Sequence, residues 1–122
     1  MAGKKGVRQK SREAILQGAL ITWVKLQYPK EIIFHIPNGG FRTISEGARF
    51  KRMGVAPGIP DLMLARPNGG YGGLFIEMKA QDGRLSDNQR KMIAALKNVG
   101  YRVEVVSSLE HGMKLINEYL DA

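Results

Sequence analysis

Two short apolar runs, Leu62-Met63-Leu64-Ala65 and Leu74-Phe75-Ile76-Glu77-Met78, flank the loop Pro67-Asn68-Gly69-Gly70-Tyr71-Gly72-Gly73. Glycine supplies the backbone angles of reversing loops, and apolar runs of this length bounded by turn residues read as strands. If the loop returns the chain as a hairpin, the start of the first strand lies beside the end of the second. Asp61, which opens the first run, then stands level with Glu77. Side chains alternate along a strand, so Glu77 and Lys79 share one side while Leu74, Ile76 and Met78 take the other. Two carboxylates and an ammonium therefore meet at one end of the hairpin. Oxygen ligands so placed suit a hard divalent cation, Mg²⁺ or Mn²⁺, which commonly takes one or two carboxylates and keeps waters and a substrate phosphate. Read one residue at a time, Asp61 also fits a turn aspartate and the Glu77/Lys79 pair an exposed ion pair. The loop carries no phosphate-loop lysine, so no nucleotide cofactor is expected.

The rest of the chain supplies helices and further strands. From Arg12 to about Tyr28, Leu16, Leu20, Trp23 and Val24 recur at helical spacing, with Pro29 closing the helix. Glu13 and Gln17 lie on that same stripe. A carboxylate aimed at a core is costly unless compensated, so Glu13 is a candidate metal ligand with Gln17 behind it; a first-turn glutamate favoured by the helix dipole is the alternative. A second apolar row, Ile15, Ala19, Thr22 and Leu26, calls for another helix or a second copy of the protein. Residues 31–36 read as a strand ended by Pro37-Asn38-Gly39-Gly40, in which His35 is expected to be a hydrogen-bonded structural histidine. Asn38 beside two glycines suits either a phosphate approach or a simple turn.

Thr43-Ile44-Ser45-Glu46 has the form of a capping box, and Gly54 can end the helix it starts. Phe41, Arg42, Arg49, Lys51 and Arg52 place cations and an aromatic ring just upstream of Asp61, as a phosphate-gripping wall requires, although a solvated helix face has the same composition. After Lys79 a polar loop brings Arg84, a further candidate phosphate contact. Ser86-Asp87-Asn88-Gln89 opens a helix and is a capping box in its own right. A strand at Arg102-Val103-Glu104-Val105-Val106 and a last helix bearing Leu109, Met113, Ile116 and Leu120 complete the order αβαββαβα. That order points to a mixed α/β sandwich with a central sheet, in one domain over residues 12–122, preceded by a flexible basic arm at 1–11 whose Lys4, Lys5, Arg8 and Lys10 suit either a disordered terminus or a phosphate-touching arm.

Composition narrows the chemistry. The chain has 122 residues, no cysteine and two histidines, His35 and His111, which excludes thiolate sites and zinc centres built on several histidines. Lysine and arginine number 19 against 11 acidic residues, a formal charge of +8 that favours a polyanionic partner. No apolar run approaches a membrane span and the first residues lack the apolar core of a signal peptide, so a cytoplasmic protein is expected.

Ile36-Pro37-Asn38-Gly39-Gly40, Gly58-Ile59-Pro60-Asp61, Phe75-Ile76-Glu77-Met78-Lys79 and Leu85-Ser86-Asp87-Asn88-Gln89 follow one another in an order that resembles the VRR-NUC branch of the PD-(D/E)xK nucleases. The resemblance implies a restriction-endonuclease-like αβββαβ core with a central mixed sheet flanked by helices. It implies metal-dependent phosphodiester hydrolysis in which Asp61, Glu77, Glu13 and the backbone carbonyl of Met78 hold the ion. Lys79 then orients water or stabilises the transition state, and Gln89 joins the active site. A single side chain at Gln89 is not expected to serve both the cap and the site easily. The resemblance further implies DNA as substrate and a homodimer similar to four-way-junction resolvases, in a bacterium or phage-infected cell; the lack of base-reading machinery and the spare apolar row of a small basic chain favour branched DNA. Flap or nick processing, and a binding module or accessory subunit that does not cut, are the alternatives.

Overall fold

Apolar stripes at helical spacing and strands of alternating polarity must bury each other, and here they do so around one sheet. The computed structural model describes residues 3–37 and 43–121. Helix α1 (Gly3–Gln27) is followed by strand β1 (Ile33–His35), α2 (Ile44–Arg52), β2 (Leu62–Leu64), β3 (Leu74–Met78), α3 (Asp87–Asn98), β4 (Arg102–Val106) and α4 (Leu109–Asp121). The four strands lie in the order β1-β2-β3-β4, antiparallel from β1 to β3 and parallel between β3 and β4. Parallel neighbours need a crossover, and α3 supplies it. The mixed α/β architecture expected from the sequence is the one observed.

Helices α1 and α4 pack together against the sheet. Leu20 and Val24 of α1, Leu62, Leu64, Leu74, Ile76 and Met78 of the hairpin, Val106, and Leu115, Ile116 and Tyr119 of α4 are all buried in one cluster. Leu16 and Trp23 pack at its margin, as do Leu109, Met113 and Leu120, so the expected stripes are present. On α4 the stripe is wider than expected, because the helix touches both the sheet and α1. Gly112 sits at that contact, where a Cβ would come within 2.9 Å of Leu20 Cδ1. Tyr119 then secures the loop after β2: its hydroxyl donates to the carbonyl of Arg66, and Asn68 Nδ2 donates to the Tyr119 carbonyl at 2.8 Å.

One boundary differs from the sequence reading. Helix α1 begins at Gly3, so most of the segment assigned to a flexible arm over residues 1–11 is helical. Lysine, arginine and glutamine are good helix formers, and once a turn is nucleated each added residue gains a hydrogen bond. Of the second apolar row of α1, Ile15 and Leu26 stay uncovered, 73% and 79% exposed, while Ala19 is half-buried. Among the described residues no helix is long and apolar enough to cross a membrane.

Candidate active site

The site forms where the β2–β3 ladder stops. The last pairs are Leu64↔Leu74, Met63↔Phe75 and Leu62↔Ile76. One further step in the same register sets Asp61 opposite Glu77, and a second sets Pro60 opposite Met78. Alternate residues of a strand direct their backbone groups to opposite neighbours. Lys79 N–H donates to Val106 on the β4 side, so the backbone groups of Met78 face the β2 side. Proline has no N–H to offer them, and the ladder cannot continue. The Asp61 side chain takes over: its Oδ2 accepts the Met78 N–H at 2.8 Å. The Met78 carbonyl is left beside Asp61 without a donor from the strand, the condition a main-chain metal ligand needs.

Asp61 is fixed from its other side as well. Its carbonyl accepts the Ile36 N–H at 2.7 Å, and His35 Nδ1 lies 2.9 Å from the same oxygen. His35 is thus hydrogen-bonded, as expected, steadying the Asp61 backbone from a place on the cavity wall. Glu77 is the one buried charged residue among the described residues, 3% exposed at the end of β3. Lys79 Nζ stands 3.6 Å from its Oε2, and Gln89 Nε2 donates to the same oxygen at 3.1 Å. Glu13, from α1, accepts the Ala80 N–H at 3.2 Å. Glu13, Gln17, Asp61, Glu77, Met78, Lys79 and Gln89 all line one cavity of about 500 Å³, together with Lys10, Ala14, His35 and Pro37.

Burial pushes the Glu77 carboxyl up to about 8, and the charge of neighbouring Asp61 adds to the rise while Lys79 opposes it. A hydrogen bond with Asp61 and the charge of Glu13 raise it further. Like charges in a poorly solvated place cannot all ionise, so without a cation this cluster holds a proton. Among the described residues no three His, Cys, Asp or Glu side chains stand grouped so that they could hold a metal ion together. The donors present fit an ion that takes two carboxylates and a main-chain carbonyl and completes its shell with water, as Mg²⁺ does.

Gln89 corrects the expectation that one side chain would not easily serve two purposes. Its Oε1 accepts the Ser86 N–H at 2.8 Å while Ser86 Oγ accepts the Gln89 N–H at 3.2 Å, a complete capping box at the start of α3. The other end of the same amide, Nε2, reaches Glu77. An amide carries an acceptor and two donors on separate atoms, so both bonds form at once.

The remaining predicted contacts divide. Thr43 caps α2 by accepting the Glu46 N–H at 3.0 Å, and Gly54, at φ 94°, follows the helix C-cap. Arg49, Lys51 and Arg52 of that helix are exposed and do not line the cavity, and Arg84 is exposed outside it too. Asn38 and Arg42 lie outside the described residues. Two residues carry more than the sequence reading gave them. Gly58 adopts φ 81°, and a Cβ there would stand 2.3 Å from the Asn88 carbonyl oxygen, so the turn that delivers Asp61 butts directly on the start of α3. Its presence in the Gly-Ile-Pro-Asp segment was the only signal available. Lys10, counted with the arm, shares one side of α1 with Glu13, Ala14 and Gln17 through i, i+3, i+4 and i+7 spacing and so enters the cavity.

Comparison with known proteins places the fold in a family. The family model described as the VRR-NUC domain matches residues 11–110. A solved structure of a VRR-NUC domain protein is 30% identical, covers 89% of this chain and 88% of its own, and superposes with a TM-score of 0.77. A second VRR-NUC domain structure, 20% identical over 85% of this chain and 97% of its own, shares the fold at a TM-score of 0.54. No curated protein matches. With four-fifths of its length matched by the family model, the chain belongs to the VRR-NUC family of PD-(D/E)xK-type nuclease domains.

Proposed function

We propose that this protein is a metal-dependent, structure-selective DNA endonuclease that works as a homodimer on branched DNA. The observation that carries the reading is Glu77: a carboxylate 3% exposed, set against Asp61 and held by Lys79 and Gln89 in a cavity open to substrate. A buried carboxylate pair is unfavourable without a cation and useful with one. Asp61, Glu77, Glu13 and the Met78 carbonyl would hold Mg²⁺ or Mn²⁺. When bound, such an ion supplies a Lewis acid for the scissile phosphate and lowers the pKa of water.

The chain's own residues perform the rest. Gln89 fixes the Glu77 carboxylate by its 3.1 Å bond, so that group need not reorganise during the reaction. Lys79 keeps its ammonium at the cavity wall, where it can orient the attacking water or stabilise charge developing on the phosphoryl oxygens without giving up its proton. Exposed Arg49, Lys51 and Arg52 on α2, with Arg84, Asn38 and Arg42, are proposed to grip the DNA backbone away from the reacting phosphate. Phosphate contacts position a duplex without reading its bases, which favours selection by DNA shape. Uncovered Ile15 and Leu26 on α1, with Ile32 and Phe34 63% and 43% exposed around the edge strand β1, support a homodimer able to address two strands of a junction.

The test is cleavage of a matched panel of four-way junction, flap, nicked duplex, plain duplex and single strand, with Mg²⁺, Mn²⁺ or chelator. Paired, metal-dependent cuts in the junction that vanish in Glu77→Gln are expected. Preferential cutting of flaps or nicks would replace the junction assignment. Salt-sensitive binding indifferent to metal and to Asp61→Asn, with no product, would refute the enzyme reading in favour of a binding module.

A further inference from the structure

The cavity is lined by three carboxylates, Glu13, Asp61 and Glu77, and two cations, Lys10 and Lys79. Lys79 lies 3.6 Å from Glu77 Oε2 and is therefore engaged with the acidic cluster. Lys10 is different. It is exposed, it stands one turn before Glu13 on α1, and its side chain forms no ion pair or hydrogen bond with any described residue. An anionic strand entering a cavity walled by carboxylates meets repulsion beyond the reach of a single bound cation, and an uncommitted ammonium beside Glu13 offsets it for the phosphate next along the strand.

We propose that Lys10 is a substrate-binding residue of this cavity, holding a phosphate of the cleaved strand adjacent to the scissile one. The assignment rests on the nuclease reading above and adds to it the side of the cavity along which the strand runs. The row Lys10, Glu13 and Gln17 ascends one side of α1, so the strand passes along that helix, with its next phosphate against Lys10 and the reacting phosphate before Asp61 and Glu77. A lysine binds phosphate as a compact point charge, so arginine can replace it in charge though not in shape. The first turns of α1 thereby act as a wall of the active site.

The experiment compares wild type with Lys10→Gln, Lys10→Arg and Lys25→Gln, the last an exposed lysine of the same helix that does not line the cavity. Steady-state cleavage gives KM and kcat separately. Fluorescence anisotropy of labelled DNA in an Asp61→Asn background gives affinity as a function of salt. For Lys10→Gln, KM is expected to rise about tenfold with kcat changed less than about threefold, as for loss of one charge-assisted contact made equally in ground and transition states. The slope of log K against log salt should become shallower by about 0.9 on duplex, most of both effects should return in Lys10→Arg, and Lys25→Gln should resemble wild type. Lys10→Gln indistinguishable from Lys25→Gln while wild type cleaves would overturn the assignment and leave the nuclease reading intact. A fall in kcat at unchanged KM would also overturn it, placing Lys10 on the transition state. If no protein cleaves yet the affinity and salt-slope differences persist, Lys10 stands as a phosphate contact and the nuclease reading falls.

Discussion

Replacing Glu77 by glutamine keeps the size of the side chain and its acceptor for Gln89 Nε2 but removes the ionisable proton. In the metal-free fold that proton matters: the carboxyl titrates near 8, against 4.5 for an unperturbed group. A carboxyl whose pKa is raised on folding contributes stability that is fully present below the unfolded value and is lost as pH rises through the folded one. Between 4.5 and about 8, therefore, the folded protein binds a proton that the unfolded chain releases. The slope approaches about 1.4 kcal/mol per pH unit in that window, and wild type should lose roughly 4 kcal/mol relative to Glu77→Gln between about pH 5 and about pH 9. The assay is urea unfolding in chelator across this range, followed by the fluorescence of Trp23, the single tryptophan, whose ring meets Tyr28 at 5.8 Å. Subtracting one protein's curve from the other's cancels the groups they share. Adding Mg²⁺ should restore much of the lost stability to wild type at high pH and little to the variant. A difference flat to within about 0.5 kcal/mol from pH 5 to pH 9 would refute the claim that Glu77 is forced to hold its proton.

Ser86→Ala removes half of the capping box and should destabilise the fold by about 1 kcal/mol while cleavage persists, because Gln89 Nε2 still reaches Glu77. Gln89→Ala should show a similar loss in urea and a fall of at least about tenfold in kcat, separating the two ends of the amide. Gly58→Ala meets both a positive φ and the Asn88 carbonyl, so a loss of about 2 kcal/mol or more is expected by thermal unfolding, with cleavage falling because α3 is pushed from Asp61. Tyr119→Phe leaves the Arg66 carbonyl without its donor; about 1 kcal/mol of stability should go while cleavage is unchanged.

Much of the site was legible because strand alternation and a glycine loop are local signals. They suffice to put Asp61 level with Glu77 and to place Lys79 on the same side, and the observed register carries Asp61 to that position. Glu13 was legible from its place on an apolar stripe, and it lines the cavity while accepting the Ala80 N–H. Other features depend on distances between elements far apart in sequence. The approach of Gly58 to Asn88 leaves no periodicity to read, since a glycine in a turn looks the same whether or not a helix stands against it. Lys10 was legible only as part of a basic arm able to touch phosphate; its place on the cavity was not, because helix propagation before Arg12 rests on weak propensities that a mobile basic run shares. The cations of α2 were recognised as a cluster, but composition carries no orientation, and the helix holds them outside the cavity.

The unpaired end of the hairpin gives the site a particular mechanical origin. Had the strands zipped two residues further, Met78 would spend its backbone groups on its neighbour and the Asp61 carboxylate would have no amide to hold. A ring with no N–H at position 60 prevents that closure, so the sheet opens like the last teeth of a fastener and leaves two carboxylates and a carbonyl in the gap. Any residue at 60 able to donate would tend to pull the gap shut. Reactivity here begins where regular structure is made to fail.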